Sequence, residues 1–260
     1  MGGRRSKRVE SGLAFYRVDG GGPPMILLHG RYSTHRAWFQ QVPTLSHNRT
    51  VVTYDAPGFG ASLSDQPPRL ALHVHDLVRL RRHLGYDRVT LVGQSMGGFV
   101  ALQHALAHPK ETAALVLTGS AAGVADPQIV TAIRASVARH DQEPAAHRAF
   151  APSFVQRRPD LAHFALVERD ASPTLDEEFL TPLLEGGGPS AAELAQLAVP
   201  TLIIAGEHDI LMPAEALERL GALLPGAEIE VIRNAGHCAY LEQPGAYNSA
   251  ILNFLERVGA

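Results

Sequence analysis

The hexapeptide Gly93-Gln94-Ser95-Met96-Gly97-Gly98 lies between the apolar run Val89-Thr90-Leu91-Val92 and the apolar stretch Phe99-Val100-Ala101-Leu102. A strand that passes through Gly-x-Ser-x-Gly straight into a helix has to turn sharply. The flanking glycines permit that turn, which thrusts a hydroxyl out at the carboxyl end of the strand with the Met96 amide beside it. Ser95 is therefore a candidate nucleophile; on its own it would read equally well as a helix-initiating serine.

Two later segments decide between those readings. Gly206-Glu207-His208-Asp209 follows the strand-like Thr201-Leu202-Ile203-Ile204, and Asn234-Ala235-Gly236-His237 follows Glu228-Ile229-Glu230-Val231-Ile232. The order Ser, Asp, His is the one expected when a nucleophile, an orienting acid and a general base sit on successive strand ends of one parallel sheet. Upstream, Pro24-Met25-Ile26-Leu27-Leu28 reads as a buried strand running into His29-Gly30-Arg31-Tyr32. The backbone amides of Arg31 and Met96 are the expected pair holding the oxygen of a tetrahedral intermediate, each such donor being worth roughly two to three orders of magnitude in rate.

The rest of the chain reads as alternating elements. Strand-like runs cover Leu13 to Val18, Met25 to His29, Thr50 to Tyr54, Val89 to Val92, Ala114 to Thr118, Thr201 to Ala205 and Glu228 to Ile232. Helical patterns cover Leu70 to Leu80, with Leu70, Val74, Leu77 and Val78 on one face, then Phe99 to Ala107, Ala214 to Leu224 and Tyr247 to Val258. That alternation predicts an α/β fold with a mostly parallel sheet and helices on both faces. From about Ala122 to Leu197 it stops: Ile129, Ile133 and Val137 recur at helical spacing, followed by Phe150, Phe154, Leu161 and Phe164, with no convincing strand. We expect residues 122–197 to form an inserted helical cap on a core of residues 1–121 and 198–260. The plainer alternative is that these helices widen the core.

Composition narrows the function. A chain of 260 residues that is 45% hydrophobic can bury one large core, and its net charge of −3 does not suit a nucleic-acid-binding protein. The basic start containing Arg4, Arg5, Lys7 and Arg8 runs into Val9-Glu10-Ser11-Gly12 rather than an apolar stretch, so no export signal is read there. Cys238 is the single cysteine, which suits a reducing cytoplasm, and no run has the length of a membrane span. Metal readings arise at His73-x-His75 and at His104 and His108, but neither supplies the three or four converging ligands of a zinc site. No metal or cofactor is expected, the partner is a small-molecule substrate, and the oligomeric state is open.

From about Leu13 to Leu255 the chain resembles the α/β-hydrolase superfamily. Besides the features above, Asp55-Ala56-Pro57-Gly58-Phe59-Gly60-Ala61-Ser62 is similar to the Asp-x-Pro-Gly-x-Gly-x-Ser loop after a central strand, and Glu242-Gln243-Pro244 follows the histidine. Both read as structural. The resemblance implies a Ser-His-Asp triad; its Gly-x-x-Asp pattern selects Asp209 over the adjacent Glu207 and His208. It implies a serine hydrolase of small esters or lactones. The alternatives are cleavage of a carbon-carbon bond in a vinylogous diketone acid, against which Cys238 replaces an expected aromatic, and a homologue that binds ligand without turnover. Because Ser95 occupies the elbow, aspartate-nucleophile chemistry is disfavoured. Arg31 stands where many relatives place a small or apolar residue; its side chain either meets a substrate carboxylate or enolate or faces solvent. Arg31, Tyr32, Phe154 and Phe164 are the candidate substrate contacts, His29 is expected to bond to backbone, and Trp38 to pack.

Overall fold

The computed structural model describes residues 5–7, 14–62, 64, 68–175 and 177–260. Eight strands form one sheet: β1 (Arg5–Lys7), β2 (Tyr16–Gly20), β3 (Pro24–Leu28), β4 (Thr50–Tyr54), β5 (Val89–Gln94), β6 (Thr112–Thr118), β7 (Thr201–Gly206) and β8 (Glu228–Ile232). Their order is β1-β2-β4-β3-β5-β6-β7-β8, with β2 antiparallel to both of its neighbours, β1 and β4, and every other pair parallel. Among the described residues the α-helices are α1 (Val42–Leu45), α2 (Leu70–His83), α3 (Met96–Ala107), α4 (Pro127–Arg139), α5 (Ala145–Ala149), α6 (Pro152–Arg157), α7 (Pro159–Asp170), α8 (Glu177–Leu184), α9 (Ala191–Leu194), α10 (Ala214–Leu223), α11 (Ala239–Glu242) and α12 (Pro244–Val258).

Successive residues of a strand face opposite sides, and the central strands are apolar on both. Ile26, Leu28, Leu91, Leu115 and Ile203 bury against the face covered by α2, α3 and α10. Met25, Leu27, Val92, Val116, Leu202 and Ile204 bury against Trp38 and the α12 residues Tyr247, Ile251 and Phe254. Trp38 is wholly buried, its ring centroid 4.9 Å from that of Tyr240, which is the packing role expected of it.

Three local readings shift. β2 begins at Tyr16 rather than Leu13, because the Phe15 backbone bonds to the loop after β4, donating to Ser62 Oγ (2.7 Å) and accepting from the Asp55 amide (2.9 Å); Leu13 lies outside the described residues. The inner face of α2 is Leu70, His73, Leu77 and Leu80, with Val74 and Val78 only partly buried. His73 enters the core because its Nε2 meets the Pro57 carbonyl at 3.1 Å and its ring makes edge-to-face contacts with Phe59 and Phe179. Burial pushes its pKa down to about 4, so it is neutral there. The third shift is β1, a strand within the basic start that periodicity did not reveal.

Between β6 and β7 lie α4 to α9, with no strand among the described residues. α4 is anchored to the sheet layer through Asp126, whose carboxylate caps the helix by accepting from the Gln128 and Ile129 amides and pairs with Arg219 of α10 at 2.8 Å.

Candidate active site

Ser95 occupies the corner between β5 and α3 with φ 51° and ψ −113°, a strained conformation for a non-glycine residue. The surroundings hold it there: the Ser95 amide donates to the Thr118 carbonyl (3.0 Å), and the Ser95 carbonyl accepts from Ser120 Oγ (2.7 Å) and the Gly98 amide (2.9 Å). A side chain at Gly93 would strike the Gly97 carbonyl, and one at Gly97 would strike the Leu28 carbonyl. The glycines of the motif are thus required by close backbone approach as well as by the turn.

At the end of β7, Asp209 is buried with both oxygens occupied. Oδ1 accepts from the amides of Leu211 and Met212, each at 2.9 Å, and Oδ2 accepts from His237 Nδ1 at 2.9 Å. With its proton on Nδ1, the His237 ring presents Nε2 as a base. Glu207 and His208 turn away: both side chains are about half exposed, and the Glu207 carboxylate accepts the Asn234 amide at 2.8 Å, stapling the loop that carries His237. Gly119, at φ 51°, lies under the pair, and a Cβ there would come within 3.2 Å of both His237 Nδ1 and Asp209 Oδ2.

The His237 loop has a second support, Glu242, buried in α11. Its Oε1 accepts the Gly236 amide and its Oε2 the Ala151 amide, each at 2.8 Å, joining the loop to the start of α6. Burial pushes this carboxyl up to about 7; the two amide bonds oppose that shift and the charge of Asp209 adds to it. In the sequence, Glu242 was legible as structural, but not as a bridge between these two segments. His29 is bonded through both ring nitrogens, Nδ1 to the Gly30 carbonyl (2.8 Å) and Nε2 to the Ala56 amide (2.9 Å), and burial holds it neutral. Asp55 accepts the His35 amide and ring and the Ala61 amide; despite burial these bonds hold its carboxyl below the ordinary range, as befits a loop anchor.

A cavity of about 190 Å³ opens over the corner, and Ser95, Met96, His237, Arg31, Tyr32 and Phe164 all line it. Phe154 does not. It is buried against Phe150, with ring centroids 5.3 Å apart, and borders a separate depression near Gln40 and Pro244. The wall position expected of Phe154 is taken by Phe150, four residues earlier, because short helices joined by turns do not keep one face in register. Sequence reading also missed Cys238, Glu168 and Arg169 in the wall. Cys238 stood beside a named residue; α7 offered no signal for the other two.

Among the described residues no three His, Cys, Asp or Glu side chains gather where a metal ion could be held, and no helix is long and apolar enough to cross a membrane.

Fold and site together define an α/β-hydrolase architecture. The profile of the alpha/beta hydrolase fold family matches residues 23–244, and the chain belongs to that family. It is 28% identical to the 2-hydroxy-6-oxononadienedioate/2-hydroxy-6-oxononatrienedioate hydrolase 2 of Pseudomonas putida, over 97% of this chain and 94% of the relative. Among solved structures it is similar to a thermophilic esterase from Thermogutta terrifontis, described with malate bound, at 25% identity and a TM-score of 0.79, over 99% of this chain and 98% of that one. A hydrolase from Pseudomonas aeruginosa PA01 is 27% identical with a TM-score of 0.76, over 98% of each chain. The chain is thus a hydrolase of the α/β fold.

Proposed function

We propose that the protein hydrolyses a small-molecule ester or lactone through a Ser95-His237-Asp209 triad and an acyl-enzyme. The observation that carries this is the Asp209-His237 bond of 2.9 Å beside a cavity that Ser95 shares. His237 Nε2 takes the Ser95 proton as Oγ attacks the carbonyl carbon. The resulting oxyanion is held by the amides of Arg31 and Met96; on collapse the imidazolium returns the proton to the leaving oxygen. Water, deprotonated by the same nitrogen, then attacks the acyl carbon and releases Ser95. Residues 122–197 serve as the cap over a core of residues 1–121 and 198–260, with Phe164, Tyr32 and Arg31 touching substrate.

A fluorophosphonate should label Ser95 alone, and a panel of p-nitrophenyl esters of rising chain length beside small lactones should identify the acyl group. Labelling elsewhere, or full turnover by Ser95→Ala, would refute the mechanism. The second reading, carbon-carbon bond cleavage in a vinylogous diketone acid, is favoured by the name of the Pseudomonas putida relative. It is tested by loss of the substrate's visible absorbance, and turnover of either class rules out a protein that only binds.

A further inference from the structure

The cavity has a charged end that the triad does not use. The Arg31 guanidinium lies 4.1 Å from the centre of the Tyr32 ring, and that of Arg169, on α7, lies 5.4 Å from the same centre. All three residues are in the wall. Two guanidiniums gathered on one ring need compensation, and among the described residues neither has a carboxylate partner. Of the two acids flanking Arg169, Glu168 is also in the wall, but its carboxylate is committed elsewhere: Oε2 accepts from Thr34 Oγ1 at 2.9 Å, and Oε1 pairs with Arg36 at 2.7 Å. Arg36 is therefore neutralised while Arg31 and Arg169 are not. The Tyr32 ring offers its face to both cations, which fixes them without cancelling their charge.

Most of the remaining wall is apolar, including Phe150, Phe164, Leu183, Leu184 and Met212. An anion entering such a cavity is drawn to its charged end, and planar guanidiniums match a carboxylate best. We propose that Arg31 and Arg169, held against Tyr32, bind a carboxylate on the substrate, so that the preferred ester carries its own negative charge. Because the Arg31 amide faces the scissile carbonyl in the proposed mechanism, its side chain reaches a group a few bonds away on the same molecule. The inference rests on the hydrolase reading above and assigns its substrate class.

The test is a matched pair with equal acyl length, mono-p-nitrophenyl adipate and p-nitrophenyl hexanoate. In the wild type, kcat/KM for the charged ester should exceed that for the neutral one by about tenfold or more, the increment of a charge-assisted hydrogen bond, and added salt should lower the ratio. Arg31→Gln and Arg169→Gln should each reduce that ratio about tenfold, and Arg31→Lys should retain part of it. A wild-type ratio at or below one, or a ratio that neither glutamine variant moves, overturns the proposal. Calorimetric titration of monoethyl adipate into Ser95→Ala and into Ser95→Ala/Arg31→Gln separates the two claims. If the wild type turns over neither ester but the titration shows binding that the second variant loses, the hydrolase reading falls and the carboxylate site stands. Turnover of the neutral ester with no binding of the acid gives the reverse.

Discussion

The sheet and the helical segment between β6 and β7 are built on different physics. In β5 and β7 every residue is buried and each strand is hydrogen-bonded to neighbours on both sides, so the corners carrying Ser95 and Asp209 are set by backbone bonds. In the segment, α5, α6 and α7 have no side-chain cap and α8 contains Pro182. Its polar ties to the rest include Asp126 to Arg219, Ser136 to the Ile210 carbonyl, Glu168 to Thr34 and Arg36, Ala151 to Glu242 and the Ala149 carbonyl to the Cys238 amide, beside apolar packing through Ile129, Ile133, Phe150 and Phe154. In the proposed mechanism the sheet positions the reacting atoms, and the segment, as a cap, shapes what reaches them.

Substitutions in the sheet corners should give the largest effects. Ser95→Ala should lower kcat by roughly five to six orders of magnitude with an unaltered melting curve, and His237→Ala should come close to that. The double variant should lose little more than either single one; a fully multiplicative loss would show that the two do not act as a unit. Asp209→Asn should cost about four orders of magnitude. The amide can still accept from Leu211 and Met212, but its NH2 meets His237 Nδ1 and forces the proton onto Nε2, removing the base. Steady-state kinetics on one p-nitrophenyl ester checks all of these.

Within the segment, the two phenylalanines should separate. Phe154→Ala removes a buried core ring and should lower stability by about 3 to 5 kcal/mol in denaturant melts, with little change in the ranking of esters. Phe164→Ala, in the cavity wall, should reorder kcat/KM across ester chain lengths by a few fold with little loss of stability. The opposite pattern would mean that the two wall assignments are exchanged.

Glu242 joins the two regions and should make that junction respond to pH. Its carboxyl is raised from 4.5 to about 7 in the folded protein, so folding favours the protonated form. That contribution is fully present below pH 4.5 and is lost as pH rises through about 7. The Tm advantage of the wild type over Glu242→Gln, which cannot ionise, should accordingly shrink between those limits. A difference that stays flat from pH 4 to 8 would show that Glu242 does not titrate in this range.

The sequence carried the sheet and the triad candidates because both depend on local pattern. Apolar strands with helices between them leave few arrangements, and Gly93, Ser95 and Gly97 encode a close backbone approach that other residues would block. It also placed Asp55 and His29 correctly as loop anchors, since residues beside tight turns meet nearby backbone. What it could not supply were contacts between segments distant in the chain. His73 entered the core because Pro57, Phe59 and Phe179 converge on it, and α2 turned accordingly.

The exchange of Phe154 for Phe150, the meeting of Arg31 with Arg169 at Tyr32, and the Glu242 bridge were likewise decided by tertiary structure. The sequence alone determined where a strand must turn and which side chains stand at the turns, because those follow from neighbours within a few residues. Which side of a short helix faces a cavity, and which charge is left without a partner, depends on packing between elements far apart in the chain, and the fold alone decides it.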